Sequence, residues 1–140
     1  MALKLKLSDD RMCFGCGGKN ARGLRLSFTF DGRRRRIGTE WTPAKEHQGY
    51  ADIVHGGMIG LVLDELMGNL LWKLGRPSVT AEMAVRFRRP AHVGEPLTCE
   101  ARITEQVKRG ARPVYRMEAD ARNAKGDLVA QAQGRFVRVG

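Results

Sequence analysis

The sequence predicts an α+β fold in which one antiparallel sheet curls round a single long central helix. Three observations carry this. An almost unbroken apolar run of helix length extends from His55 to about Leu74. Segments on both sides of it alternate apolar and polar residues with a period of two. Short turn signals separate those segments, so the strands are neighbours and the helix is the element they enclose. With 140 residues, 42% of them hydrophobic, the chain suits one domain with one core.

Residues 1–12 read as an N-terminal extension. Leu24, Leu26, Phe28 and Phe30 then alternate with Arg25, Ser27, Thr29 and Asp31, the pattern of a half-buried strand. Asp31-Gly32 is a hairpin turn signal, and the chain returns through 33–41. The run Arg33-Arg34-Arg35-Arg36 falls at the hairpin end, where charge protects a strand edge. Residues 42–54 read as loop. The helix follows, stopped by Gly75 and Pro77. It is apolar almost all round, and such a helix is buried. Ala81, Met83, Val85 and Phe87 mark the next strand. Leu97, Cys99, Ala101 and Ile103 mark another, ending before a loop at Lys108-Arg109-Gly110. Tyr115, Met117, Ala119 and Ala121 follow, then a turn at Lys125-Gly126-Asp127 and a last strand to Val139.

The formal net charge is +10, which first suggests nucleic acid. Its distribution argues otherwise. Residues 1–40 carry net +6 and residues 76–140 net +6, whereas 41–75 carry net −2. The charge avoids the helix, aromatic residues are only 6% of the chain, and no nucleic-acid motif is present. No nucleic-acid partner is expected. Met58–Leu74 is interrupted by Asp64, Glu65, Asn69 and Lys73, so no membrane span is expected. Three cysteines make no disulfide framework, and no apolar leader opens the chain. A reducing, cytoplasmic setting fits.

His55-Gly56-Gly57 opens the helix. Glycines there let a ligand approach the free N–H groups and the positive end of the helix dipole, a place for developing negative charge. Gly56, Gly60, Asp64 and Gly68 are four apart and share a face of small residues with one carboxylate. Glu65, Asn69 and Lys73 form a separate stripe that reads as solvated. A carboxylate among apolar residues is costly unless paired or functional, which singles out Asp64. Gly56 and Asp64 lie roughly 12 Å apart along one helix, too far to act on one reacting centre. Acting together, they need two copies of the chain, helix to helix, each lending Asp64 to the other's Gly56.

These motifs resemble those of a known family. Cys13-Phe14-Gly15-Cys16-Gly17, Asn20, Gly23-Leu24, His47-Gln48-Gly49, Val54-His55-Gly56-Gly57 and Asp64-Glu65 are similar to the hotdog-fold acyl-CoA thioesterases of the phenylacetate-pathway (PaaI-like) group. The likeness continues from Thr80 through Pro90 to Leu97. It implies a hotdog fold, homodimers or homotetramers, and hydrolysis of an acyl-CoA thioester in a site shared between subunits. It implies that the Gly56 N–H polarises the thioester carbonyl and that Asp64 acts as base or nucleophile. Thr80 would help place the water. His47, Gln48, His55, Gly57 and Glu65 would border the substrate. Phe87, Arg88, Arg89, His92, Lys108, Arg109 and Arg112 would hold the nucleotide end of CoA, whose phosphates basic groups suit. Relatives often carry Asn six residues before the tripeptide's His. Here that position is Gly49, beside Gln48, and Asp52 stands where Gly is common.

No cofactor is expected. Cys13-x-x-Cys16 has the spacing of half a zinc site, but no second pair follows, so no metal is assigned from spacing. The cysteines have no visible base and are not expected to be nucleophiles. His55 alone reads as a turn-fixing residue. The competing function is a non-catalytic acyl-CoA or acyl-carrier binding protein on the same fold, which Gly49 favours. A hotdog dehydratase lacks its second catalytic group here.

Overall fold

The computed structural model of the chain describes residues 4–110 and 112–140. Its elements run β1 (Thr29–Asp31), β2 (Arg36–Trp41), a 3-10 turn (Lys45–His47), β3 (Gln48–Tyr50), β4 (Ile53–Val54), α1 (Gly56–Lys73), β5 (Ser78–Phe87), β6 (Leu97–Arg109), β7 (Arg112–Arg122) and β8 (Leu128–Arg138). Six strands form one antiparallel sheet in the order β1-β2-β6-β7-β8-β5. The helix packs across one face of it, touching β2, β5, β6, β7 and β8. The expected α+β fold, a sheet around one helix, is what forms.

Helix burial follows the apolar pattern. Leu63, Leu66, Met67, Leu70 and Leu71 are fully buried against Ile37, Leu97, Tyr115, Met117 and Phe136. Each such side chain contributes about 1.5–3 kcal/mol. The helix can sit close because the sheet beneath it is floored with alanines. Ala101 pairs with Ala119 and Ala119 with Ala132, while Ala121 pairs with Ala130, and all five are buried. His55 caps the helix, its Nδ1 accepting the Gly57 N–H at 2.9 Å. Gly75, at φ +74°, ends it as expected.

Three boundaries and the burial of one helix face differ from the sequence reading. The first strand does not span Leu24–Phe30. Arg25 has a φ of +50°, which breaks the extended run, and only Thr29–Asp31 pairs with β2. Leu24 and Leu26 instead donate backbone N–H groups to Phe14 and Gly15, joining the N-terminal loop. The 42–54 loop contains the 3-10 turn and the β3–β4 hairpin. The β6 strand runs on through Lys108 and Arg109, because a bulge at Thr104 resets its register against β7. Gly110, at φ +64°, lies in the tight turn to β7. The helix stripe Glu65, Asn69 and Lys73 is not a uniformly solvated face: Glu65 and Asn69 are half-buried under the N-terminal loop.

Several arginines are paired with carboxylates across the sheet. Arg102 meets Glu118 at 2.6 Å and Asp120 at 3.6 Å, Arg116 meets Glu105 at 3.4 Å, and Arg36 meets Glu100. Of the four-arginine run, Arg33, Arg34 and Arg35 lie in the β1–β2 turn, where the hairpin end was expected.

Candidate active site

The helix runs antiparallel to β5, and the small-residue face lies over that strand. A Cβ on Gly56 would meet the Phe87 ring at 3.2 Å, and one on Gly60 would meet Met83 and Val85 at 3.9 Å. Asp64 lies over Thr80, whose Oγ1 donates to Asp64 Oδ1 at 2.7 Å. A Cβ on Gly68 would meet Phe136 at 3.8 Å. The stripe thus packs on its own sheet. It is not free to receive a partner helix, which would have to use the flank with Gly57 and Leu61.

Asp64 is half-buried, and burial pushes its carboxyl above the ordinary carboxylate range. The Thr80 hydrogen bond opposes this and the Glu65 charge adds to it. The result is a carboxylate held by one hydroxyl and poorly solvated, the environment of a working base. At the other end of the strand, Gly56 is the first helical residue and its N–H has no partner among the described residues. The Gly57 N–H is used by the His55 cap.

A cavity of about 310 Å³ beside Gly56 is lined by Ile53, Ile59, Phe87, Arg88, Arg89 and Ala91 among others. Neither Arg88 nor Arg89 has a carboxylate partner among the described residues. Lys108 and Arg112 lie elsewhere, in a cavity of about 740 Å³ with Lys4, Lys6 and Arg138. Arg112 Nη1 is buried there with no hydrogen-bond partner among the described residues. Strand register separates the two basic groups: Phe87 pairs with Ala130, whereas Val114 pairs with Val137. Seven strand residues put them roughly 23 Å apart in one chain. The Arg109 side chain lies outside the described residues.

The remaining candidates have structural partners. His47 Nδ1 accepts the Ala44 N–H at 2.9 Å, and its ring packs on Trp41. The His47 carbonyl receives the His55 N–H, so the two histidines are joined by the backbone. Gln48 Oε1 accepts the Asp52 N–H at 3.1 Å and closes the β3–β4 turn, where Asp52 has a φ of +68°. Gly49 packs against His55. His92 Nδ1 is 3.1 Å from Asp52 Oδ2, and His92 is not among the residues lining the Gly56 cavity. Glu65 accepts hydrogen bonds from Cys13 and Asn69 rather than bordering that cavity. Burial pushes the Cys99 thiol up to about 12, and burial with Glu65 pushes Cys16 up further, so neither is an activated nucleophile.

Sequence reasoning missed Lys4, Lys6 and Arg138 beside Arg112. They come from the two chain ends and share no local pattern. It also missed the Cys13–Glu65 contact, which joins residues 52 apart.

Comparison with known proteins gives the same fold. A thioesterase superfamily protein of known structure superposes with a TM-score of 0.79 at 26% identity, covering 91% of this chain and 60% of its own. The Escherichia coli PaaI protein of the phenylacetic acid degradation operon superposes at 0.71 with 22% identity over 84% of this chain and 81% of its own. A Streptococcus mutans protein crystallised with acetyl-CoA gives 0.71 at 18% identity, covering 82% of this chain and 89% of its own. A presumed esterase of Archaeoglobus fulgidus is 30% identical over 100 residues, 71% of this chain and 62% of that protein. The chain thus spans less than two thirds of two of these relatives. The thioesterase superfamily profile matches residues 51–130, from before the His55 cap to β8. With the sheet wrapped on its glycine-opened helix, this hotdog-fold chain belongs to the thioesterase superfamily.

Proposed function

We propose that the protein hydrolyses acyl-CoA thioesters in two equivalent sites shared by a homodimer. One observation carries the reading: Asp64 over Thr80 and Gly56 over Phe87 occupy opposite ends of β5, an edge strand with no neighbouring strand on its outer side among the described residues. A ten-residue open edge is a surface for pairing. Two copies joined antiparallel along β5 bring the Thr80 end of one to the Phe87 end of the other. Asp64 of one copy then stands near the Gly56 amide of its partner. A register centred on Ala84 also places Glu82 opposite Arg86, and Met83 opposite Val85. The same pairing carries the Arg112 cavity of one copy towards the Arg88 and Arg89 cavity of the other.

In this arrangement the thioester carbonyl oxygen accepts the Gly56 N–H, aided by the helix dipole. Asp64, hydrogen-bonded to Thr80, takes a proton from water, and the hydroxyl attacks the carbonyl carbon. The tetrahedral intermediate collapses with cleavage of its C–S bond, and Asp64 returns the proton to the departing CoA thiolate, giving free acid and CoA thiol. Arg88, Arg89, Lys108 and Arg112 would hold the CoA phosphates. The free thiols of Cys13, Cys16 and Cys99 suit the reducing cytoplasm. Two dimers could pair into a tetramer through the outer sheet face.

A binding-only reading has one observation in its favour. Gln48 already spends its Oε1 on the Asp52 turn, so it is a poor stand-in for the Asn missing at position 49. Thiol release from a panel of acyl-CoAs separates the two. Hydrolysis that disappears in Asp64→Asn supports the enzyme. Tight CoA binding without turnover selects the binding protein.

A further inference from the structure

The N-terminal loop and the outer face of α1 build a cluster that the site above does not use. Cys13 Sγ, Cys16 Sγ and a Glu65 carboxylate oxygen all lie within 4.8 Å of one another, and all three residues are half-buried. Cys13 Sγ is 3.1 Å from Glu65 Oε1. Asn69, one turn along the helix, donates its Nδ2 to the same Oε1 at 2.9 Å and to the Glu65 carbonyl at 2.9 Å, which fixes the carboxylate's direction. Two glycines make the approach possible. A Cβ on Gly15 would stand 2.6 Å from Glu65 Cδ, and one on Gly17 would stand 2.5 Å from the Cys13 backbone nitrogen. Gly17 also closes the turn, its N–H donating to the Cys13 carbonyl at 2.8 Å.

We infer that Cys13, Cys16 and Glu65 form a binding site for one thiophilic divalent cation, with Zn²⁺ as the best chemical match. Two thiolates and one carboxylate suit zinc, a borderline-soft ion that accepts sulfur and oxygen together. A tetrahedral zinc holds its ligands roughly 3.5–3.8 Å apart, so the widest gap, at most 4.8 Å, must close by about 1 Å while the 3.1 Å Cys13–Glu65 contact opens slightly. Asn69 orients the carboxylate as a second partner, and water completes the tetrahedron. Binding releases the two thiol protons to solvent. Sequence spacing stopped at two ligands because the third arrives from the helix, and only the fold reveals it. A bound cation would tie the segment before β1 to the middle of α1.

The test uses the full-length chain, reduced, stripped with a chelator and titrated with Co²⁺ without oxygen. One cobalt per chain should bind at micromolar protein and give a thiolate-to-cobalt charge-transfer absorption that Zn²⁺ displaces. Cys13→Ser and Cys16→Ser should each remove most of that absorption, and Cys99→Ser should leave it intact. Glu65→Gln keeps side-chain size and an acceptor for Asn69, so it guards against a folding artefact. It should weaken cobalt binding by more than about tenfold. The inference is overturned if stoichiometric cobalt gives no charge transfer, or if a folded Glu65→Gln binds as well as the parent.

Discussion

Thr80 Oγ1 donates a 2.7 Å hydrogen bond to Asp64 Oδ1, joining the edge strand β5 to the middle of α1. Among the described residues, that one bond is the only polar contact holding a half-buried carboxylate whose burial disfavours its charge. Asp64→Asn keeps an oxygen for Thr80 and removes the base. Thioester hydrolysis should fall by about 10²–10⁴-fold, measured as kcat with a saturating acyl-CoA.

The same substitution should raise stability at neutral pH. The folded-state carboxyl of Asp64 titrates above its unfolded value, so its stabilising share is full below the unfolded value of about 3.9 and is lost as pH rises through the folded value. Asn carries no such loss. Thermal unfolding of Asp64→Asn and parent should therefore coincide in acid and separate towards pH 7, with the variant melting higher. Equal melting temperatures at neutral pH would show that the carboxylate is not disfavoured by burial.

Gly56→Pro deletes the amide proposed to polarise the carbonyl while leaving the helix. Proline suits the first helical position, and His55 before it is already extended at φ −60°, ψ 128°. The Phe87 ring, half exposed, has room to yield. Activity should drop by about 10²–10³-fold with an unchanged circular dichroism spectrum, whereas Gly56→Ala should lose far less.

Mixing these two inactive variants tests the shared site. A mixed dimer pairs intact Asp64 from one chain with intact Gly56 from the other at one of its two sites. After unfolding and refolding together, an equal mixture should regain about a quarter of parental activity, since half the dimers are mixed. No recovery would mean that each chain builds its site alone.

Arg112→Ala should raise KM for an acyl-CoA by about tenfold, the loss of one charge-assisted contact. It should barely affect an acyl-pantetheine, which lacks the 3′-phosphate and pyrophosphate. A parallel rise for both substrates would place Arg112 away from the nucleotide.

The parts of the fold that were legible are those set by local periodicity. The helix from its His55 cap to Gly75, and the strands through Val85, Ala101, Ala119 and Val139, follow their apolar patterns. The parts that were not legible depend on single backbone angles or distant partners. Arg25 alternates correctly with its neighbours, yet its left-handed φ ends the strand before it starts. Thr104 keeps the pattern going while a bulge shifts the pairing. Glu65 is polar at a polar position, and nothing nearby in sequence announces that Cys13 will cover it. At the candidate site, Asp64 and Gly56 were readable from helix spacing. Their strand partners, Thr80 and Phe87, were placed by family likeness, and the separation of the two basic cavities emerged only from strand register.

The two margins of the sheet are unequal. One is β5, ten residues long and open. The other is β1, three residues long, ending in a turn of arginines. A ribbon that is receptive at both margins can polymerise, each added unit exposing a fresh template. A ribbon receptive at one margin is finished by its first partner, because joining consumes the only adhesive rim and leaves blunt ends outward. The proposed association along β5 would therefore be self-terminating, with the basic turn beside β1 guarding against fibre growth.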